Sequence, residues 1–239
     1  MHREPLKALL VGNGRVPARA SLPPGVFDDV GLVVAADGGS RGCAALGLHP
    51  DLAVGDFDSA APGDVEALER LGVEVRRFPA EKDESDLELG LRACVERGAR
   101  RVILLGVLGG PRLEHELAAI GLLAMAGADG ADLSIVDDRS ILRVLAGGSG
   151  PEGPSAAVVQ GAPGDFVSLL PFGGAADGVS THGLRYPLQD EPLPVGPSRG
   201  LSNELVGTLA TVSCRAGRLL IVHTRRSAVE PPAGHVGEE

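Results

Sequence analysis

The sequence predicts an α/β architecture for residues 1–138 and an all-β one for the rest. Three observations carry this. Up to about residue 138, continuous apolar runs alternate with helical patterns, the signature of parallel strands covered on both faces. Several of those runs end in short Gly/Asp turns such as Asp37-Gly38-Gly39 and Gly55-Asp56-Phe57-Asp58. Beyond residue 138 only strand-like patterns appear. The expected fold is thus a parallel-sheet, Rossmann-like N-terminal domain followed by a small C-terminal β-sandwich over 139–225. A Pro-, Gly- and Glu-rich tail over 226–239 is expected to be disordered.

The elements follow in order. Leu6 to Val11 reads as a buried strand ending in Gly12-Asn13-Gly14. Gly31 to Ala36 is a second strand, and a helical pattern runs from Arg41 to Gly47. Leu52-Ala53-Val54 is a short strand, Gly63 to Leu71 a helix and Val73 to Phe78 a strand. Ser85 to Arg97 is an amphipathic helix, its start marked by the Ser85/Glu88 capping box. Arg101 to Gly106 is a strand, Glu114 to Ala126 a helix and Asp132 to Val136 a strand. Residues 147–154 read as a loop. Phe166 to Leu170, Val179 to Thr181, Thr208 to Cys214 and Leu219 to Thr224 then read as strands. Arg215 to Arg218 is the expected hairpin turn between the last two.

Composition narrows the function. The 239 residues carry 22 Lys plus Arg against 32 Asp plus Glu, a formal charge of −10, and aromatics make up only 3%. An acidic chain so poor in aromatic rings lacks the basic groove and stacking platforms of a nucleic-acid binder. The 44% hydrophobic share is ample for a packed core. No apolar run reaches membrane-spanning length, so no membrane association is expected, and the N-terminus lacks a secretory pattern. Cys43, Cys94 and Cys214 fit neither a disulfide framework nor a metal spacing and are expected as buried, reduced thiols of a cytoplasmic protein. Lysine occurs only at positions 7 and 82, which singles out Lys82 among many arginines.

The chemistry-bearing residues are mainly carboxylates. Asp37, Asp56 and Asp58 each follow a predicted strand, where ligands of a parallel sheet bind. Asp83 and Asp86 stand at the start of a helix in the same sheet. Carboxylates brought together repel one another and raise each other's pKa. A divalent cation relieves that repulsion, and Mg²⁺ suits one or two carboxylates plus substrate phosphates. Gly109-Gly110-Pro111-Arg112, between a strand and a helix, is a weaker phosphate-binding signal, with Arg112 as a donor. His115 opens that helix but is not assigned to catalysis, nor are His49, His182 or His223.

These motifs together resemble the bacterial thiamine pyrophosphokinase family. The resemblance rests on Ala36-Asp37-Gly38-Gly39, on Pro50 to Ser59 with its Gly-Asp-Phe-Asp-Ser core, and on Lys82-Asp83-Glu84-Ser85-Asp86. It continues through Gly109-Gly110, Gly183 to Leu188 and Gly200-Leu201-Ser202-Asn203-Glu204. It implies an α/β catalytic domain that binds ATP and Mg²⁺, and a thiamine-binding β-sandwich. It also implies a homodimer with its active site at the subunit interface. The implied reaction converts thiamine and ATP into thiamine diphosphate and AMP. By the same resemblance Asp56, Asp58 and Asp86 are the catalytic and metal-holding residues. Asp37, Lys82, Asp83, Ser85, Gly109, Gly110 and Arg112 bind ATP, and Tyr186, Leu201, Ser202 and Asn203 bind thiamine. The sequence departs from the family pattern at Pro111, which looks inserted, at Glu114 in place of Asp, and at Ala119 in place of Asn. A pyrophosphokinase for a pterin-type alcohol and a non-catalytic ligand-binding homologue are the alternatives.

Overall fold

In the computed structural model the chain divides into two units, Met1–Asp138 and Arg139–Glu239. The structure describes residues 5–58, 63–125, 131–150 and 153–228. The first unit runs β1 (Leu6–Val11), β2 (Val30–Ala36), α1 (Gly39–Ala45), β3 (Leu52–Gly55), α2 (Asp64–Arg70) and β4 (Glu74–Arg77). It continues through α3 (Asp86–Glu96), β5 (Ala99–Leu105), α4 (Leu113–Leu122) and β6 (Asp132–Val136). The strands lie in the order β6-β5-β1-β2-β3-β4 and pair in parallel throughout.

The continuous apolar runs are explained by burial on both sheet faces. Leu9, Leu10 and Val11 on β1 are all fully buried. Successive strand residues point to opposite faces, and the two helices that approach β1 use that alternation. A Cβ on Gly90 of α3 would lie 2.6 Å from Leu10 Cδ1, whereas one on Gly42 of α1 would lie 2.9 Å from Val11 Cγ1. So α3 and α1 cover opposite faces, and each has a glycine at its closest approach. The parallel arrangement brings the carboxyl ends of β2 and β3 to one edge, where the acidic turns sit.

The second unit is built from β7 (Ser140–Ala146), β8 (Ser149–Gly150), β9 (Gly153–Gln160), β10 (Phe166–Pro171) and β11 (Ala176–His182), then β12 (Glu191–Leu193), β13 (Asn203–Glu204), β14 (Leu209–Cys214) and β15 (Arg218–Thr224). Its strands β13-β10-β15-β7 pair antiparallel, as do β12-β11-β14-β9-β8. Residues from both sets share one core, among them Leu169, Leu219 and Ile221 from the first and Val159, Val179 and Val212 from the second.

Three expectations need correction. Arg215 to Arg218 is not a hairpin turn. β14 pairs with β9 and β11, while β15 pairs with β7 and β10. The chain changes sheets there because the Asp177 carbonyl accepts from the N–H groups of both Arg215 and Ala216 and pins the corner to β11. The expected loop at 147–154 holds β8 and the start of β9, whose Gly- and Pro-rich sequence hides the strand pairing Ser149 with Pro154. Arg226–Ala228, expected to begin a disordered tail, forms a 3-10 turn, and the Arg226 N–H donates to Asp165 Oδ1 at 2.9 Å. The remainder of that tail, 229–239, lies outside the described residues. The three cysteines are free and buried, and no helix among the described residues is long and apolar enough to cross a membrane.

Candidate active site

The acidic turns converge as parallel topology requires. Asp37 follows β2 with φ 48°, and its N–H donates to the Val54 carbonyl of β3 at 2.8 Å. Asp56 and Asp58 flank Phe57, which is buried with φ 57° and so anchors the turn between them. One oxygen from each of Asp37, Asp56 and Asp58 lies within 4.8 Å of the others. The Asp58 N–H donates to Asp56 Oδ1 at 3.0 Å. That bond, stronger than the opposing effect of burial and aided by Lys82, holds the Asp56 carboxyl below its ordinary pKa.

Asp86 and Lys82 extend the cluster. Lys82 Nζ lies 3.1 Å from Asp86 Oδ1 and 3.5 Å from Asp56 Oδ2, and it donates to the Pro79 carbonyl at 3.0 Å. Burial works to lower the Lys82 pKa, but Asp86 and Asp56 outweigh it and raise it overall. For Asp86 burial dominates and pushes its pKa up, against the pull of Lys82. The contact between Lys82 and the buried Asp86 Oδ1 is close in distance but poorly directed, so that oxygen has an ion contact without a hydrogen bond. A buried carboxylate oxygen in this state is costly and open to a further positive ligand.

Beside the cluster lies a cleft of about 410 Å³. Asp37, Asp58, Lys82, Ser85, Asp86, Gly110 and Arg112 all line it. Asp56, paired to Lys82, is not among the residues that line it. Asp83 is exposed and Gly109 turns the chain with φ 69°, and neither lines the cleft. Ser85 caps α3, its Oγ accepting from the Glu88 N–H at 3.2 Å. The capping box is only half formed, because Glu88 Oε1 takes Arg92 instead, at 2.7 Å. Arg112, its side chain 64% exposed, pairs with Glu114 at 2.7 Å. His115 and Glu116 also line the cleft, as does Asn13. Nothing in an ordinary Gly-Asn-Gly turn marks Asn13 as functional; the one signal the sequence carries is its position after β1.

The residues expected to hold thiamine lie in the second unit. Tyr186, Leu201 and Ser202 are exposed, and Tyr186 keeps 54% of its surface. The Arg185 guanidinium lies 5.5 Å from the Tyr186 ring centre. Asn203 is buried and faces inward. Its Oδ1 accepts from the N–H groups of Tyr186 and Glu204 at 3.0 and 2.9 Å, and its Nδ2 donates to the Tyr186 carbonyl at 2.6 Å. The amide thus fixes the backbone that presents Tyr186. Ser202 has φ 55°, and its N–H donates to Ser168 Oγ at 3.0 Å.

Comparison with known proteins finds family matches in both units. Residues 25–136 match the thiamin pyrophosphokinase catalytic domain, and residues 157–219 match the thiamin pyrophosphokinase vitamin B1 binding domain. The thiamine pyrophosphokinase of Bacillus subtilis is 25% identical over 200 residues, covering 84% of this chain and 90% of that one. A crystal structure of the Bacillus subtilis protein superimposes with a TM-score of 0.79 at 24% identity, covering 92% of this chain and 99% of that one. One of the thiamin pyrophosphokinase from Geobacillus thermodenitrificans has a TM-score of 0.76 at 29% identity, with 93% and 99% covered.

Proposed function

The chain belongs to the thiamin pyrophosphokinase family, and from that premise we propose that its acidic cleft carries the transfer chemistry of the first unit. The chain is an ATP-dependent diphosphotransferase that forms thiamine diphosphate. The thiamine hydroxyl attacks the β-phosphorus of ATP, and AMP leaves. Such transfer depends mostly on positioning and on neutralising charge.

The observation that carries the site assignment is the convergence of Asp37, Asp56 and Asp58 within 4.8 Å, with Asp86 and Lys82 against them. The donor set is entirely carboxylate oxygen, which fits Mg²⁺ rather than a softer metal. The poorly satisfied Asp86 Oδ1 supports the same reading. Asp56, Asp58 and Asp86 would hold Mg²⁺, with Asp37 in support. Bound there, the ion would supply charge neutralisation to the phosphates. Lys82, held by two carboxylates at the cleft wall, neutralises phosphate charge. Ser85 fixes the start of α3 and so the place of Asp86. Tyr186 offers its ring to the cationic thiamine, a contact of about 0.5–2 kcal/mol.

A Rossmann-like arrangement is supported by the parallel order of the six strands and by helices on both faces at β1. A homodimer with active sites at the subunit interface is supported by α4. There Leu113 and Leu117, one turn apart, are 66% and 59% exposed and form an apolar stripe that a second copy would cover. A cytoplasmic location agrees with three buried free thiols. The test is thiamine-dependent AMP release with ATP and Mg²⁺. Asp58→Asn is expected to lower turnover at least about 100-fold, as loss of a charge-stabilising group does. Near-normal turnover in that variant would remove Asp58 from the mechanism.

A further inference from the structure

We propose that Asn13 is a positioning residue that orients the Asp37 carboxylate, is itself oriented by Arg41, and thereby sets the affinity of the acidic cluster for a divalent cation. The inference rests on the metal reading above and extends it to two residues outside the carboxylate set.

The geometry is a relay of three side chains. Asn13 Nδ2 donates to Asp37 Oδ2 at 3.0 Å, and Asn13 Oδ1 accepts from the Arg41 guanidinium at 3.3 Å. An amide has a donor end and an acceptor end, whereas a guanidinium only donates. Arg41 therefore selects the amide oxygen, and the NH₂ end is left facing Asp37. The opposite orientation would set a carbonyl against a carboxylate and a guanidinium against an amide NH₂, both repulsive. Gly38 makes room for the relay, since a Cβ there would collide with both Asn13 Oδ1 and the Arg41 guanidinium. Gly38 also caps α1, the helix that carries Arg41, so the turn after β2 places Asp37 and Arg41, and the turn after β1 brings Asn13 to them.

The chemistry explains why an amide suits this position. Asp37 must stay near Asp56 and Asp58, which repel it. Asn13 meets it with an amide donor, which carries no charge of its own. A neutral donor fixes the carboxylate plane and leaves its charge intact. Metal sites use such outer hydrogen bonds widely, and their loss costs about 10–100-fold in metal affinity. Asn13 is exposed, so the expected loss is at the lower end, about 10-fold.

The experiment measures Mn²⁺ binding to the nucleotide-free chain by calorimetry, alongside the Mg²⁺ activation constant and the KM for thiamine. Asn13→Ala is expected to weaken Mn²⁺ binding about 10-fold and to raise the Mg²⁺ activation constant by a similar factor, with the thiamine KM unchanged. Arg41→Gln is expected to act in the same direction by a smaller factor. Combining it with Asn13→Ala should add nothing, because the relay is already broken. Arg41→Gln leaves Asn13 and all the carboxylates in place, so it keeps the test open if Asn13→Ala fails to fold. Mn²⁺ affinity within twofold of wild type in both single variants, or effects that simply add, would overturn the relay alone. A wild-type chain that binds no Mn²⁺ would overturn the metal reading and this inference together.

Discussion

Lys82 is the most informative residue to remove, because it answers the same charges that a bound cation would. Its ammonium lies 3.1 Å from Asp86 and 3.5 Å from Asp56, and only 12% of its side chain is exposed. At an effective dielectric of about 20, each contact is a gross attraction of about 5 kcal/mol. Most of that is offset by the dehydration of the three charges. What remains visible on removing one partner is the cost of leaving the others unpaired, about 1–3 kcal/mol. Lys82→Met leaves Asp86 with its burial and with the like charges of Asp56 and Asp37, both of which disfavour its ionised form. The metal-free variant should thus be less stable than wild type by about 1–3 kcal/mol. A cation bound to the cluster supplies the missing charge, so Mg²⁺ should stabilise the variant more than it stabilises wild type. The assay is urea unfolding of both proteins at neutral pH, in EDTA and in excess Mg²⁺. Equal stability of the two proteins in EDTA, or an equal gain from Mg²⁺, would refute the reasoning.

Two further outcomes are expected. Tyr186→Ala should raise the KM for thiamine far more than the KM for ATP in steady-state kinetics, and an equal rise in both would exclude ring contact with thiamine. In the second unit, buried Asp165 accepts from the Ala162 and Arg226 N–H groups and lies 2.9 Å from His223 Nε2. Burial alone would raise its pKa, but these bonds lower it below the ordinary 3.8. A depressed carboxylate pKa contributes stability above 3.8 that is lost as the pH falls through the folded-state value. Asp165→Asn should therefore destabilise the protein by about 1–3 kcal/mol at neutral pH. In denaturant titrations that gap should narrow below pH 3.8. A gap that stays constant into acid would contradict this.

Much of the first unit was legible because its inner strands β1, β2 and β3 are buried on both faces. Runs such as Leu6–Val11 and Asp132–Val136 leave little ambiguity when helices separate them. The second unit was read less completely. β9 has the sequence Gly-Pro-Ser-Ala-Ala-Val-Val-Gln, in which small residues and Pro154 obscure the alternation. The corner at Arg215–Gly217 looks like a hairpin because the strands on either side are strong, and only the contact with Asp177 reveals the change of sheet. In the site, Asp37, Asp56 and Asp58 were visible because each follows a strand, and Asp86 because it opens a capped helix. The inward-facing amide of Asn203 was not, since a sequence does not show whether an amide serves the ligand or the backbone. Nor was Glu114's pairing with Arg112, which the spacing alone does not reveal.

The central claim is that this acidic cleft, loaded with a divalent cation, moves a pyrophosphoryl group from ATP to thiamine. The most direct measurement is ³¹P NMR of the products formed from ATP and thiamine, with Mg²⁺ and with EDTA. Thiamine diphosphate and AMP are expected in equal amounts with Mg²⁺, and neither with EDTA. Thiamine monophosphate with ADP, or product formation unaffected by EDTA, would contradict it.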